Sequence, residues 1–267
     1  MISFGAHVDS TDPVAEAQAR GAGLSQFFLG DPQGWKGPSI AYSGGAAALR
    51  EAAEAAGIDL YVHAPYVLNV ASLNNRVRIP SRQQLQKQLT MAGEIGAKGL
   101  IVHGGHVSDD ADLEKGFDNW RKCIEGLEMP VPLLIENTAG GGGAMARGLD
   151  RIAQLWGAVQ AADGSEQVGF CLDTCHAHAS GVELLGLVDK VLAITGRIDL
   201  VHANDSRDEF GSSADRHADL GTGLCDPDGL VSVIVDADAP VVFETPGGKA
   251  GTSDDIRWLT ARLTQQA

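Results

Sequence analysis

The chain has 267 residues, of which 44% are hydrophobic and 21% are charged, so it can bury a large core and lacks the composition of a disordered protein. Its net charge of −15 argues against a protein that holds nucleic acid on a broad basic surface. No apolar run reaches the roughly 18 residues of a membrane span, and the first ten residues carry neither a basic patch nor an apolar stretch, so we expect neither a span nor a secretion signal. The four cysteines are too few for a disulfide framework and are expected to be reduced thiols of a cytoplasmic protein.

Eight short apolar segments recur along the chain and predict eight β-strands. Most of them are apolar at successive positions, which is typical of strands that are buried on both faces of a parallel sheet. In chain order they are Ile2–Ala6, Leu24–Leu29, Asp59–Ala64, Gly99–His103, Val131–Asn137, Val168–Thr174, Leu200–Asn204 and Pro240–Thr245.

Amphipathic segments between the strands predict helices, and two helix starts combine an aspartate cap with a following proline, at Asp12 and Asp226. The clearest helical segments are Pro13–Ala22, Gly44–Ala56, Ser81–Ile95, Leu149–Ala161 and Asp254–Arg262. Eight strand–helix units of about 33 residues each follow one another without a linker. We therefore predict one domain over residues 1–267 with the (β/α)8 TIM-barrel fold. A doubly wound open sheet would show the same local pattern, but the eight even units and the lack of a Gly-x-Gly-x-x-Gly motif after the first strand favour closure.

Histidine and acidic residues stand at the predicted carboxyl ends of six strands, which meet at the face of a barrel where active sites lie. A lone histidine there is more often structural, and a lone aspartate often caps the next helix, but these explanations would have to hold at every strand end at once. Buried carboxylates and imidazoles together need a compensating partner, which is usually a metal. The candidate ligands at these strand ends are His63, His103, Glu136, Asp173, His176, His202 and Glu244, and Asp215 and His217 join them from the Gly/Ser-rich loop that is predicted after the seventh strand.

The nine candidates offer only nitrogen and oxygen donors, which suits zinc, manganese or iron at a catalytic site. One ion uses three or four protein ligands, so nine candidates predict two or three ions per chain. Cys171 and Cys175 flank Asp173 with a spacing of four residues, and we expect both to pack as small apolar side chains rather than to bind zinc.

Six sequence blocks around these residues resemble the endonuclease IV family of abasic-site DNA endonucleases, and the resemblance covers nearly the whole chain. The blocks stand in the family's order and at the corresponding strands of the predicted barrel. They are Gly5–Val8, Leu134–Gly140, Cys171–Ala177, His202–Ser206, Asp215–His217 and Leu220–Gly223.

The resemblance implies a cluster of three zinc ions, with manganese or iron as alternatives, in which Glu136 bridges two ions and is the catalytic residue. All nine positions carry the residue type that the family has there. The implied ligand groups are His63, His103 and Glu136; Glu136, Asp173, His202 and Glu244; and His176, Asp215 and His217.

The resemblance also implies the reaction: hydrolysis of the phosphodiester 5′ to an abasic site in double-stranded DNA, which leaves a 3′-hydroxyl and a 5′-deoxyribose phosphate. Three divalent ions among four carboxylates would leave a positive pocket in an acidic protein, and such a pocket attracts a phosphodiester. We expect neither a membrane nor an obligate protein partner.

DNA contacts are expected from the loops after the second and third strands, whose side chains enter the base stack in the family. Here these side chains are Gln33, which stands where the best-known members have an arginine, and Tyr66 with Val67. Arg216 is a further candidate contact. Three arginines in the predicted loop 74–82 form a basic cluster that either contacts phosphates or faces solvent.

The main alternative is a metal-dependent sugar isomerase or epimerase of the same barrel superfamily. Such an enzyme needs one ion held by four residues, which Glu136, Asp173, His202 and Glu244 would supply. The other five candidates would then have no role in binding metal. The number of bound ions separates the two hypotheses.

Overall fold

Eight parallel strands close into a barrel in the computed structural model, which describes residues 2–108 and 111–266. In chain order the strands are β1 (Phe4–His7), β2 (Leu24–Phe28), β3 (Asp59–His63), β4 (Gly99–His103), β5 (Leu133–Glu136), β6 (Val168–Asp173), β7 (Leu200–His202), β8 (Asp205–Ser206), β9 (His217–Ala218) and β10 (Val241–Phe243). β8 and β9 form a small antiparallel hairpin, and the other eight strands are the barrel, which β1 closes by pairing with both β2 and β10. The predicted TIM-barrel fold is confirmed.

Every barrel strand leads into a helix that packs outside the sheet, as the alternating pattern predicts. The helices are α1 (Pro13–Arg20), α2 (Gly45–Ala56), α3 (Asn75–Glu94), α4 (Leu113–Ile124), α5 (Gly148–Gln160), α6 (Thr174–Ser180), α7 (Leu187–Thr195), α8 (Pro227–Asp236) and α9 (Gly248–Gln266). The carboxylates of Asp12 and Asp226 cap α1 and α8, each ahead of a proline at the first helical position. None of the helices within residues 2–108 and 111–266 combines the length and the apolar character needed to cross a membrane.

The third helix begins at Asn75, six residues before the predicted start at Ser81. The prediction began the helix after Pro80, because proline is unfavourable inside a helix. In the structure Pro80 lies in the second turn and the helix continues through it. The basic cluster therefore belongs to a helix and not to a loop. Arg78 and Arg82 donate hydrogen bonds to backbone carbonyls outside the helix, so these two side chains anchor its first turns.

Two layers of inward-facing side chains fill the barrel. The lower one, which we call the apolar layer, consists of Leu24, Tyr61, Ile101, Leu134, Cys171, Leu200 and Val242. Two residues further along each of these strands lies the polar layer, which β1 completes with His7. Its members are His7, Gln26, His63, His103, Glu136, Asp173, His202 and Glu244. Side chains alternate along a strand, so residues two apart face the same side, and the fold gathers the polar layer at the carboxyl end of the barrel.

Candidate metal centre

All nine predicted ligands meet at the carboxyl end of the barrel, six from the polar layer and three from the segments that follow β6 and β8. They form three groups in which the ligand atoms lie within 4.8 Å of one another, and these groups could each hold a metal ion. The groups are His63, His103 and Glu136; Glu136, Asp173, His202 and Glu244; and His176, Asp215 and His217. They coincide with the three sets that the resemblance implies.

Glu136 lies at the centre of the cluster, fully buried at the end of β5. Its Oε2 lies 3.2 Å from Nε2 of His63 and 3.3 Å from Nε2 of His103. Its Oε1 lies 3.1 Å from Nδ1 of His202. The two oxygens of one carboxylate therefore face two different groups of ligands, which is the arrangement that a bridging carboxylate needs.

Four histidines each use one ring nitrogen for a hydrogen bond to a carbonyl oxygen and turn the other nitrogen toward the acids. His63, His176 and His217 donate from Nδ1 to backbone carbonyls, at 2.8, 2.9 and 3.3 Å. His202 donates from Nε2 to the side-chain carbonyl of Gln26, at 2.8 Å. A carbonyl oxygen only accepts, so the nitrogen facing it carries the proton and the opposite nitrogen is left for a ligand.

Two of the nitrogens that face the acids have no hydrogen-bond partner among the residues that the structure describes. They are Nε2 of His176 and Nε2 of His217, both buried. Each lies close to Oδ1 of Asp215, at 3.1 and 3.2 Å, without forming a hydrogen bond to that oxygen. An unsatisfied buried polar atom costs about 1–3 kcal/mol, whereas a cation between the three side chains would satisfy all of them. The orphaned nitrogens and the N/O donor set fit a metal ion.

The buried charges of the cluster demand positive compensation. Burial alone would raise the pKa of Glu136, but the charges of His202 and His103 hold it well below its usual range. Burial and the nearby charge of Glu136 raise the pKa of Asp173. Burial would lower the pKa of His202, but the neighbouring Cys171 and the carboxylates of Glu244 and Glu136 hold it well above its usual range. Protons on the imidazoles or metal cations can supply the missing charge.

Asp173 has both roles that the sequence leaves open, helix cap and member of the cluster. Its Oδ1 accepts the backbone N–H of His176 at 2.6 Å and caps α6. Its Oδ2 accepts the amide N–H of Asn204 at 2.7 Å and lies 3.8 Å from Nε2 of His217. The cap fixes the carboxylate in place, and the second oxygen faces the cluster.

The third group is positioned by the β8–β9 hairpin rather than by the irregular loop that the sequence predicts. His217 pairs with Ser206 across the hairpin, and this pairing fixes the backbone next to Asp215. The buried carboxylate of Asp205 accepts three backbone N–H groups of segment 221–225, which ties down the chain after the hairpin. The side chain of Asp215 remains 49% exposed and forms the outer edge of the cluster.

Cys175 lies close to two of the predicted ligands, Asp173 and His217, with which it forms a fourth group of donor atoms. Burial raises the pKa of its thiol to about 12, so without a bound metal the thiol is protonated near neutral pH. Cys171 belongs to the apolar layer. All four cysteines are free and buried.

The loops after β2 and β3, which carry the predicted DNA-contacting residues, are joined to each other, and Tyr66 lines the cavities at the cluster. Tyr66 is 47% exposed, and its ring centre lies 5.5 Å from that of His63. The backbone N–H of Tyr66 donates to the carbonyl of Pro32, which joins its loop to the loop that carries Gln33. Val67 packs partly against the core, which reduces the apolar surface that it offers to a ligand.

Arg216 is exposed and forms an ion pair with Asp208. Together with Arg207 it lines a cavity of about 360 Å³ that reaches the ligand cluster. Arg207 is not among the predicted contacts, although it directly follows the matched block that ends at Ser206 and its charge was the available signal. The cluster therefore opens into a cavity with two arginines at its rim.

A second cavity of about 410 Å³ adjoins the cluster and is walled by the glycine-rich segment after β5. A Cβ on Gly140 would lie 2.2 Å from the carbonyl oxygen of Ser213, and one on Gly143 would lie 1.9 Å from that of Val107. Only glycine lets these three loops approach so closely. The glycine run thus shapes the wall of the cavity by loop packing.

Comparisons with known proteins show the family and the fold of the chain. A family model described as a xylose isomerase-like TIM barrel matches residues 14–262. The chain is 55% identical over 259 residues to the probable endonuclease 4 of Mycobacterium tuberculosis (97% of this chain, 98% of the relative), and 51% identical over 261 residues to that of Mycobacterium leprae (98% and 99%). The solved endonuclease IV of Thermus thermophilus superposes with a TM-score of 0.83 at 29% identity, covering 98% of this chain and 99% of that one. A D-tagatose 3-epimerase-like protein superposes with a TM-score of 0.78 at 17% identity (99% of each chain), which shows a shared fold only. The chain therefore belongs to the endonuclease IV family of hydrolytic nucleases.

Proposed function

We propose that this protein is a DNA repair endonuclease that hydrolyses the phosphodiester 5′ to abasic sites through a multinuclear zinc centre, leaving a 3′-hydroxyl and a 5′-deoxyribose phosphate. The observation that carries the proposal is the presence of three adjoining ligand groups at the carboxyl end of the barrel, with Glu136 shared by two of them. One ion would leave several of these buried side chains without a partner. Membership of the endonuclease IV family supports the same reaction.

The zinc ions would be held by the three groups, and when bound they would polarise the scissile phosphodiester and make water a stronger nucleophile near neutral pH. The chain's own residues set the geometry. Glu136 lies between two groups and holds its two oxygens 3.1–3.3 Å from the facing imidazoles. The hydrogen bonds of the histidines to carbonyl oxygens fix which nitrogen faces the cluster. Manganese and iron accept the same donors.

The charge distribution suits a phosphodiester substrate. Bound cations would make the pocket positive, while the rest of a chain with net charge −15 repels indiscriminate duplex binding. Arg207 and Arg216 line the same cavity and add positive charge there, although Asp208 pairs with Arg216.

The exposed ring of Tyr66 at the mouth of the cluster offers a stacking surface next to the place of the missing base. An abasic nucleotide has no base to unpair, so its extrusion into the cavity costs less than that of an intact nucleotide. Gln33 on the adjoining loop and Val67 are the further contacts that we propose. Action in the cytoplasm without an obligate protein partner stays a prediction.

The proposal is tested by incubating the zinc-replete protein with a duplex that contains one abasic site, without added magnesium, and sizing the products on a denaturing gel. We expect a 3′-hydroxyl end and no cleavage of the matched undamaged duplex. A product with an unsaturated aldehyde on its 3′ end would contradict hydrolysis, because it arises by β-elimination. An intact abasic strand together with one bound ion per chain would favour a sugar isomerase or epimerase.

A further inference from the structure

One member of the polar layer is neither ionisable nor among the nine predicted ligands: Gln26, the inward-facing residue at the third position of β2. It is completely buried. On β3 to β7 and after β10, the corresponding position carries a candidate ligand. A buried amide in this layer therefore needs its own explanation.

The amide of Gln26 is fully engaged with other members of the layer. Its Oε1 accepts the Nε2–H of His202 at 2.8 Å, and its Nε2 donates to Oε1 of Glu244 at 2.7 Å and to Nδ1 of His7 at 3.0 Å. The carboxylate of Glu244 only accepts, so the amide nitrogen faces Glu244 and the amide oxygen faces His202. One side chain thus binds two predicted ligands of the same ion and fixes its own orientation by doing so.

The bond to Gln26 also decides which nitrogen of His202 faces the cluster. With the proton held at Nε2, the opposite nitrogen, Nδ1, lies 3.1 Å from Oε1 of Glu136 and 3.2 Å from Oε2 of Glu244. His63, His176 and His217 are held in the same way, but by backbone carbonyls that no substitution removes. Of these four histidines, His202 is the one whose orientation depends on another side chain.

We propose that Gln26 is the positioning residue of the central ion site, the group formed by Glu136, Asp173, His202 and Glu244. It keeps Nδ1 of His202 free to bind the ion, and it holds Oε1 of Glu244 so that Oε2 stays beside that nitrogen. The proposal rests on the metal centre of the proposed function. It adds that occupancy of this one site depends on an uncharged residue of β2.

The first test is metal affinity in Gln26→Met, which keeps the length of the side chain and removes both its donor and its acceptor. Cobalt(II) is titrated into the metal-free protein while its visible absorption is recorded, and zinc is then titrated against a chromophoric chelator. We expect one class of sites to bind about 10–100-fold more weakly, which is the usual effect of losing a partner that orients a metal ligand. The remaining sites should keep the affinity of the unmodified protein.

Gln88→Met is the matched control, because Gln88 is an equally buried glutamine that lies on α3, away from the cluster. It should bind metal as the unmodified protein does. If the unmodified protein binds no metal, the proposed centre itself fails. If it binds two or three ions and Gln26→Met binds them with unchanged affinity, only the role of Gln26 is overturned.

The second test determines which ring nitrogen of His202 carries the proton, from long-range ¹H–¹⁵N spectra of zinc-loaded protein with ¹⁵N-labelled histidine. In the unmodified protein His202 should carry its proton on Nε2, and Gln26→Glu, which keeps an acceptor oxygen, should preserve this state. Gln26→Met should lose it. A protonated Nδ1 of His202 in the unmodified protein would overturn the proposal, and that measurement does not depend on the folding of any variant.

Discussion

The apolar layer and the polar layer lie two residues apart on the same strands, yet they satisfy their side chains in opposite ways. Leu134 of the apolar layer is 2% exposed, and because its side chain has no polar atoms, packing against its neighbours is all that it needs. Glu136, two residues later on β5, is just as buried but needs a positive charge beside its carboxylate. Strand alternation therefore supplies two equivalent inward-facing positions, and residue type decides whether a position stabilises the fold or binds a cation.

The largest effect should come from Glu136→Gln, which keeps the side-chain volume but removes a charge shared by two ligand groups. We expect the turnover of an abasic duplex to fall by about 10²–10³, the scale seen when one preorganised electrostatic group is lost. Binding of the abasic duplex, measured by fluorescence anisotropy, should fall much less, because the other groups and the loops remain. Glu94→Gln, at the end of α3 and away from the cluster, is the control. Near-normal cleavage with full metal occupancy would contradict the bridging role.

A change in the apolar layer should lower the stability of the fold and leave metal binding nearly unchanged. Leu134→Ala leaves a cavity in the barrel interior and should lower the free energy of unfolding by about 2–5 kcal/mol, measured by urea denaturation in the presence of a chelator. Its metal affinity should stay within a few-fold of the unmodified protein. A folded Leu134→Ala protein that had lost its metal sites would show that the two layers are not separable.

Outside both layers, Tyr66→Ala should reduce the preference for an abasic over an intact duplex by about tenfold, since stacking of a base on an aromatic ring contributes about 1–3 kcal/mol. Competition binding with the two duplexes measures this preference. Metal content should not change, and Tyr66→Phe should retain the preference because it keeps the ring. An unchanged preference in Tyr66→Ala would remove this residue from lesion recognition.

The smallest effect concerns Asp255, a buried carboxyl of α9 that accepts hydrogen bonds from the backbone N–H of Leu220 and the hydroxyl of Thr245, whereas Glu136 faces imidazoles. Burial raises the pKa of Asp255 to about 6. The folded state therefore binds this proton more tightly than the unfolded state, so the stability that the group contributes is present at low pH and is lost as the pH rises through 6. Between pH 5 and 7.5, the metal-free unmodified protein should lose on the order of 1 kcal/mol relative to Asp255→Asn. Equal pH dependence of unfolding in the two proteins would contradict this account.

The sequence predicts the strands and most of the cluster because both depend on local patterns, an apolar run and the polar residue that ends it. It misplaces the start of α3 because a proline is tolerated there, and it misses the hairpin that holds His217 because two-residue strands leave no periodic signal. Gln26 escapes notice for a different reason. Its partners His202 and Glu244 lie 176 and 218 residues away in sequence. A single uncharged amide forms no recognisable sequence pattern, so its role becomes visible only when the fold brings the three side chains together.

The most direct test of the account is the number of metal ions per chain. Elemental analysis of protein purified after metal-replete expression should find two to three ions per chain, with zinc predominant, because three adjoining groups offer nine nitrogen- and oxygen-bearing side chains. One ion or none per chain would contradict the multinuclear centre.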